Sequence, residues 1–170
     1  MWQYDGSKRP TFAVQPDPAQ ESVWDYPRPP ALRQDPRTVS VYDGDRIIAK
    51  SAQCYRLLET ASPPTFYIPA ADIDIEQLRA IGGNSNCEWK GKASYWALKR
   101  DDSMQMLAWS YSNPASAFMP LKNHFAFYPG RIHCFIDDER VKPQDGGFYG
   151  GWVSSEIIGP WKGLEGTGHW

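Results

Sequence analysis

Proline and glycine constrain this chain more than any other feature: fifteen of the first and 14 of the second are scattered through 170 residues. Proline removes a ladder donor and fixes φ, while glycine gives up backbone order, so this distribution disfavours long helices. It predicts short strands joined by tight turns. A chain of this length has room for one domain that buries about two-thirds of its unfolded surface. Its 41% hydrophobic and 22% charged residues exclude a wholly disordered or fibrous chain.

Apolar residues alternate with polar ones from Thr38 onward. Val39 and Val41, the Asp43-Gly44 turn signal and Arg46 to Ala49 read as a hairpin. Gln53 to Thr60 is ambiguous by periodicity and is assigned as a strand because Pro63-Pro64 stops it. Thr65 to Ile68, Ile73 to Glu76, Ala93 to Lys99, Gln105 to Tyr111, His124 to Tyr128 and Arg131 to Ile136 continue the series at the spacing of an antiparallel meander. Pro114 to Leu121 leaves room for a helical turn or two, and Asp101-Asp102 and Asp137-Asp138 read as hairpin turns. The expected fold class is all-β: one domain over residues 38–170 of eight or nine strands, preceded by an extended Pro-rich arm over residues 1–37. In the arm Trp24 and Tyr26 are the anchors expected to dock on the domain. The tail interleaves glycine with large rings, as in Gly146-Gly147-Phe148-Tyr149-Gly150-Gly151-Trp152. Such a segment suits the cover of a sheet edge or face.

A net charge of −2 gives no electrostatic reason to expect nucleic acid or an anionic membrane as partner. The start, Met1-Trp2-Gln3-Tyr4-Asp5, lacks a secretory pattern, no run of about eighteen apolar residues occurs, and the three cysteines are widely spaced. The expected location is therefore the cytoplasm, with free thiols.

The stretch Asn84 to Trp96 reads as a polar turn that delivers a thiol, a carboxylate and an ammonium into the start of an aromatic strand. A lysine near Cys87 would favour its thiolate, and Cys87 or Lys90 is the candidate nucleophile, with Glu59 as proton shuttle. Tyr67, Tyr95, Trp109 and Tyr111 are the candidate ligand-binding rings. Alternation puts Tyr95 and Trp96 on opposite faces and Trp109 and Tyr111 on one. The plainer reading makes Cys87 a small buried hydrophobe, Glu88 and Lys90 solvated groups and the rings core.

The run Cys87-Glu88-Trp89-Lys90-Gly91-Lys92-Ala93-Ser94-Tyr95-Trp96, with Ala108-Trp109-Ser110-Tyr111 and His124-Phe125-Ala126-Phe127-Tyr128-Pro129, resembles the family named domain of unknown function 427 (DUF427). Leu58-Glu59-Thr60, Pro63 to Pro69, Ser22 to Pro30, Gly147 to Val153 and the Gly-Pro-Trp-Lys-Gly tail extend the likeness from about residue 22 to the C-terminus. The resemblance implies a Mss4-like β-tent of two small antiparallel sheets meeting at an angle, with a pocket in that angle. It brings the label nucleotidyltransferase but no settled activity.

That label meets residues in the wrong order. Asp72-Ile73-Asp74 precedes Gly82-Gly83, whereas phosphoryl transfer to a nucleotide wants the glycine cradle first and the paired carboxylates after. No C-x-x-C pair is present, and His133 and Cys134 must point to opposite faces of a strand, so no metal site is expected. No cofactor is implied. The expected partner is a small planar or anionic-aromatic molecule, the alternatives being a protein- or peptide-binding module and nucleotidyl transfer. Exchange of the arm between two copies would give a homodimer.

Overall fold

The computed structural model describes residues 2–100, 102 and 104–170. The first six strands are β1 (Glu21–Ser22), β2 (Ala31–Asp35), β3 (Val39–Asp43), β4 (Arg46–Ser51), β5 (Cys54–Leu58) and β6 (Thr65–Pro69). The central four are β7 (Leu78–Cys87), β8 (Gly91–Leu98), β9 (Ala108–Ser110) and β10 (His124–Phe127). The last five are β11 (His133–Ile136), β12 (Glu139–Arg140), β13 (Lys142–Pro143), β14 (Trp152–Val153) and β15 (Ile157–Ile158). Helical segments among the described residues are short 3₁₀ turns, Ser116–Leu121 being the longest, so the fold is all-β.

Seven strands form one antiparallel sheet in the order β2-β5-β6-β10-β9-β8-β7, and four form another in the order β12-β11-β3-β4. Two small pairs complete the architecture: antiparallel β13-β14, and β1-β15, which is parallel and ties the beginning of the chain to its end.

Alternation along the seven-stranded sheet sorts its side chains into two apolar layers. Phe66, Ile68, Trp96, Ala108, Phe125 and Phe127 face the four-stranded sheet and pack with its Val39, Val41, Ile48, Cys134 and Ile136. Tyr67, Ala93, Tyr95, Trp109 and Ala126 point the other way and gather with Tyr111, Leu121 and Tyr128. The inter-sheet core is thus mostly aliphatic or Phe, joined by Trp96, Trp152 and two cysteines, and the tyrosines of the large sheet lie on its outer face.

Three segments differ from what the sequence led us to expect. Ile73-Asp74-Ile75-Glu76 alternates like a strand but sits across two 3₁₀ turns, Ala70–Asp72 and Ile75–Gln77, because Ile73 N donates to Ala70 O and Gln77 N to Asp74 O. Only Ile73 is buried, bridging to Ala49, while Ile75 is exposed. The polar stretch before Cys87 is no turn but the second half of β7, which is largely exposed and so shows no apolar alternation. Regular pairing also starts earlier than Thr38, since β2 adds Ala31 to Asp35 to the edge of the large sheet opposite Leu58 to Cys54. Trp24 and Tyr26 are buried, and Asp137 turns β11 into β12 with φ of 51°. Of the turn expected at Asp101-Asp102, Asp101 lies outside the described residues.

Candidate functional site

A hollow of about 550 Å³ opens on the outer face of the seven-stranded sheet, and not between the sheets as the resemblance implied. Its floor alternates large and small side chains. Tyr67 from β6, Trp109 from β9 and Tyr111 just beyond it are buried rings, whereas Ala93 from β8 adds only a methyl to the lining. Trp109 Nε1 donates to the Tyr67 hydroxyl at 3.3 Å, and Tyr95 hydrogen-bonds Ser85 through its hydroxyl. These links hold the rings upright at strand spacing, with Tyr67 centroids 6.3 Å from Trp109 and 6.4 Å from Tyr111.

All seven residues proposed from the sequence line this hollow: Glu59, Tyr67, Cys87, Lys90, Tyr95, Trp109 and Tyr111. Cys87 ends β7 and pairs with Gly91, so Glu88, Trp89 and Lys90 form a three-residue hairpin loop. Gly91, the first residue after the loop, has φ of +97°, a left-handed backbone that favours glycine. The loop turns Lys90 inward. The residue is only 7% exposed, its Nζ lies 5.9 Å over the Tyr111 ring, and among the described residues it has neither an ion-pair nor a side-chain hydrogen-bond partner. Burial pushes the Tyr111 hydroxyl above its ordinary range, and so does Tyr67 beside it, while Lys90 pulls it down and Cys87 and Tyr95 push it up. Burial likewise raises Tyr67, which also feels Cys87. Thiol, ammonium and phenols therefore converge, and both buried phenols stay protonated at neutral pH.

The three cysteines are unlike one another. Cys54 and Cys134 are buried in the inter-sheet core, where desolvation pushes the Cys54 thiol up to about 12 and raises Cys134 as well. Cys87 alone reaches the hollow.

Glu59 stands apart from the other candidates. Its Oε1 lies 3.5 Å from Arg28 Nη2 and 3.7 Å from Lys162 Nζ, so its charge is held between two buried cations and not aimed at the Cys87 thiol. Lys162, 6% exposed, has its ammonium disfavoured first by burial, against which Glu59 supports the charge. Asp72 and Asp74 do not line the hollow, and Asp72 Oδ2 accepts a 2.5 Å hydrogen bond from Ser51 Oγ.

The sequence reading missed the walls. Arg131 lines the hollow, stacks 4.2 Å over Tyr128 and, among the described residues, donates to the carbonyls of Met106 and Gly147, at 2.6 and 3.0 Å. Burial raises the Tyr128 hydroxyl and Arg131 opposes that. The glycine-aromatic tail covers one side: a Cβ on Gly150 would stand 2.1 Å from Trp109 Cη2, so only glycine lets this backbone lie on the indole. Gln144 pins the tail there, donating from Nε2 to Lys162 O at 2.7 Å and accepting from Gly151 N at 3.2 Å. The alternation of Gly with rings was the available signal for this wall; nothing local marks Arg131 or Lys162.

Residues 31–138 match the family described as Domain of unknown function (DUF427), and the chain belongs to that family. No curated protein gives a match. Among the described residues no helix is long and apolar enough to cross a membrane.

Proposed function

We propose that the hollow binds a small planar molecule carrying an anionic group. The observation that carries this reading is Lys90: a cation this buried, with no carboxylate beside it among the described residues, is costly unless something else neutralises it. The surrounding rings offer flat apolar faces, and the phenols are donors, so the lining suits an aromatic carboxylate or phosphate. Arg131, bonded to carbonyls only, adds a second positive charge not balanced by an acid. The two acids of the lining do little to offset this, since Glu59 is already shared by Arg28 and Lys162 and Glu88 is exposed.

The test is a thermal-shift and calorimetric panel of benzoate, indole-3-acetate, phenyl phosphate and a nucleoside triphosphate, with benzamide as the neutral comparison. Anionic members should raise the melting temperature in proportion to occupancy, and Lys90→Met should erase their advantage over benzamide. Equal responses to benzoate and benzamide, or none to any probe, would remove the reading. The nucleotide with and without Mg²⁺ also addresses nucleotidyl transfer.

A further inference from the structure

Resting on that binding reading, we propose that Cys87 captures an aryl-conjugated unsaturated carbonyl compound by thiol addition, with the Lys90 ammonium and the Tyr111 hydroxyl at the carbonyl oxygen. A pocket cysteine alone would not carry this. The independent observation is the unpartnered, nine-tenths-buried ammonium that shares the hollow with it, together with a phenol that feels both groups.

Addition needs a nucleophile and donors where negative charge develops, and those are the groups that converge here. The sulfur–carbon bond forms at the β-carbon, and the π pair of the C=C bond moves through the carbonyl to its oxygen. The resulting enolate is neutralised by Lys90 and accepts from Tyr111, and the proton lost by the thiol ends on the α-carbon. No leaving group, oxidant or second substrate is required. Acyl transfer or hydrolysis would ask more of the site. No histidine lines the hollow, and Glu59, held between Arg28 and Lys162, is not placed to pass a proton to a departing group. The flat rings of Tyr67, Trp109 and Tyr111 suit an aryl substituent, which is why the class is aryl-conjugated and not aliphatic.

The experiment uses the full chain and two probes. 4-Phenyl-3-buten-2-one can add a thiol; 3-phenylpropanoate cannot and reports binding alone. Intact-mass and peptide mapping should show one adduct, on Cys87, forming about tenfold or more faster than on N-acetylcysteine at the same pH. 3-Phenylpropanoate should raise the melting temperature and compete with the adduct. Tyr111→Phe and Lys90→Met should each slow adduct formation about tenfold, while Cys87→Ser should abolish it and keep the 3-phenylpropanoate shift. If 3-phenylpropanoate binds but Cys87 reacts no faster than the free thiol, the capture is overturned and the binding reading stands. If neither probe shows binding and Cys87 is not accelerated, both fall.

Discussion

Two aromatic clusters in this molecule draw on the same residue types and end in opposite states. At the junction of the chain's beginning and end, Tyr4, Phe12, Trp24 and Trp170 pack ring against ring, with centroids 5.0 to 6.1 Å apart and Trp24 fully buried. On the outer face of the seven-stranded sheet, Tyr67, Trp109 and Tyr111 are spaced by the strands that carry them and enclose a hollow. The polar atoms explain the difference. In the first cluster the charged group is satisfied: Trp24 Nε1 donates to Pro160 O at 2.8 Å, and although Arg28 Nε has no partner among the described residues, the rest of the guanidinium reaches the carbonyls of Tyr4, Thr60 and Trp170 besides Glu59. In the second, the Lys90 ammonium has neither counterion nor hydrogen bond among the described residues, and the Trp89 indole N–H has no partner there either. Ring content marks both regions equally. A buried charge left without counterion or hydrogen bond separates the site from the core.

The largest effect should come from opening the finished cluster. Trp24→Ala removes a fully buried indole that contacts three other rings, and it should cost about 3–5 kcal/mol, read as a lowered denaturant midpoint. Arg28→Met should approach that loss, because three carbonyls and Glu59 lose their shared donor. If either variant were as stable as the parent, the closed cluster would not be the anchor that joins the two ends.

Gly150→Ala attacks the other side of the comparison. Its new methyl would overlap the Trp109 indole, and displacing the ring or the tail should cost about 1–3 kcal/mol and weaken aromatic-anion binding together with stability. Gly166→Ala is the contrasting control for space, since nothing lies within 4 Å of its would-be Cβ, although its φ of +82° also brings strain. A Gly150→Ala protein that binds benzoate as the parent does would show that the tail is no wall of the site.

Acid should weaken the periphery before it touches the hollow. Burial works to raise Asp35, but hydrogen bonds from Arg37 overcome it and leave its carboxyl below the ordinary value; in Glu21, burial is overcome by Arg56 and Tyr26. Both carboxyls are depressed in the folded state. Their stabilisation is therefore complete above the unfolded values near 4 and is lost as pH falls through the folded ones. The melting temperature should drop progressively below about pH 4, and Asp35→Asn should flatten that slope.

How far the sequence reached follows from the same physics. Strands buried on both faces announce themselves by short continuous apolar runs, as Thr65 to Ile68 and His124 to Phe127 do, and the opposite orientations of Tyr95 and Trp96 followed from period two. β7 was illegible because its outer half has no buried face to pattern. Cys87, Lys90 and the rings were legible together because one hairpin and neighbouring strands bring them close. Glu59 was chosen for its chemistry, but its role depends on Arg28 and Lys162, which lie 31 residues before and 103 after it, and no local pattern encodes such pairing. The walls failed in part for that reason too: Arg131 stacks on Tyr128 within one turn, but its tie to the tail wall is a hydrogen bond to Gly147 O, 16 residues further on.

The smallest stability effect should be the most telling. Lys90 and Lys162 are buried to the same degree, yet Lys162 stands 3.7 Å from Glu59 and Lys90 stands beside no carboxylate. Replacing an unpaired buried ammonium with an apolar chain of like length removes a desolvation cost and gives up no ion pair, so Lys90→Met should leave the unliganded protein as stable as before or raise it by about 1 kcal/mol. Lys162→Met should instead destabilise, since it breaks a pair and leaves Glu59 to Arg28 alone. Opposite signs for the two lysines in one denaturation series, with binding lost only in the more stable variant, would identify Lys90 as a charge kept for a ligand. A clear loss of stability in Lys90→Met would mean that the chain itself supplies its counterion, and the site would then be a second core.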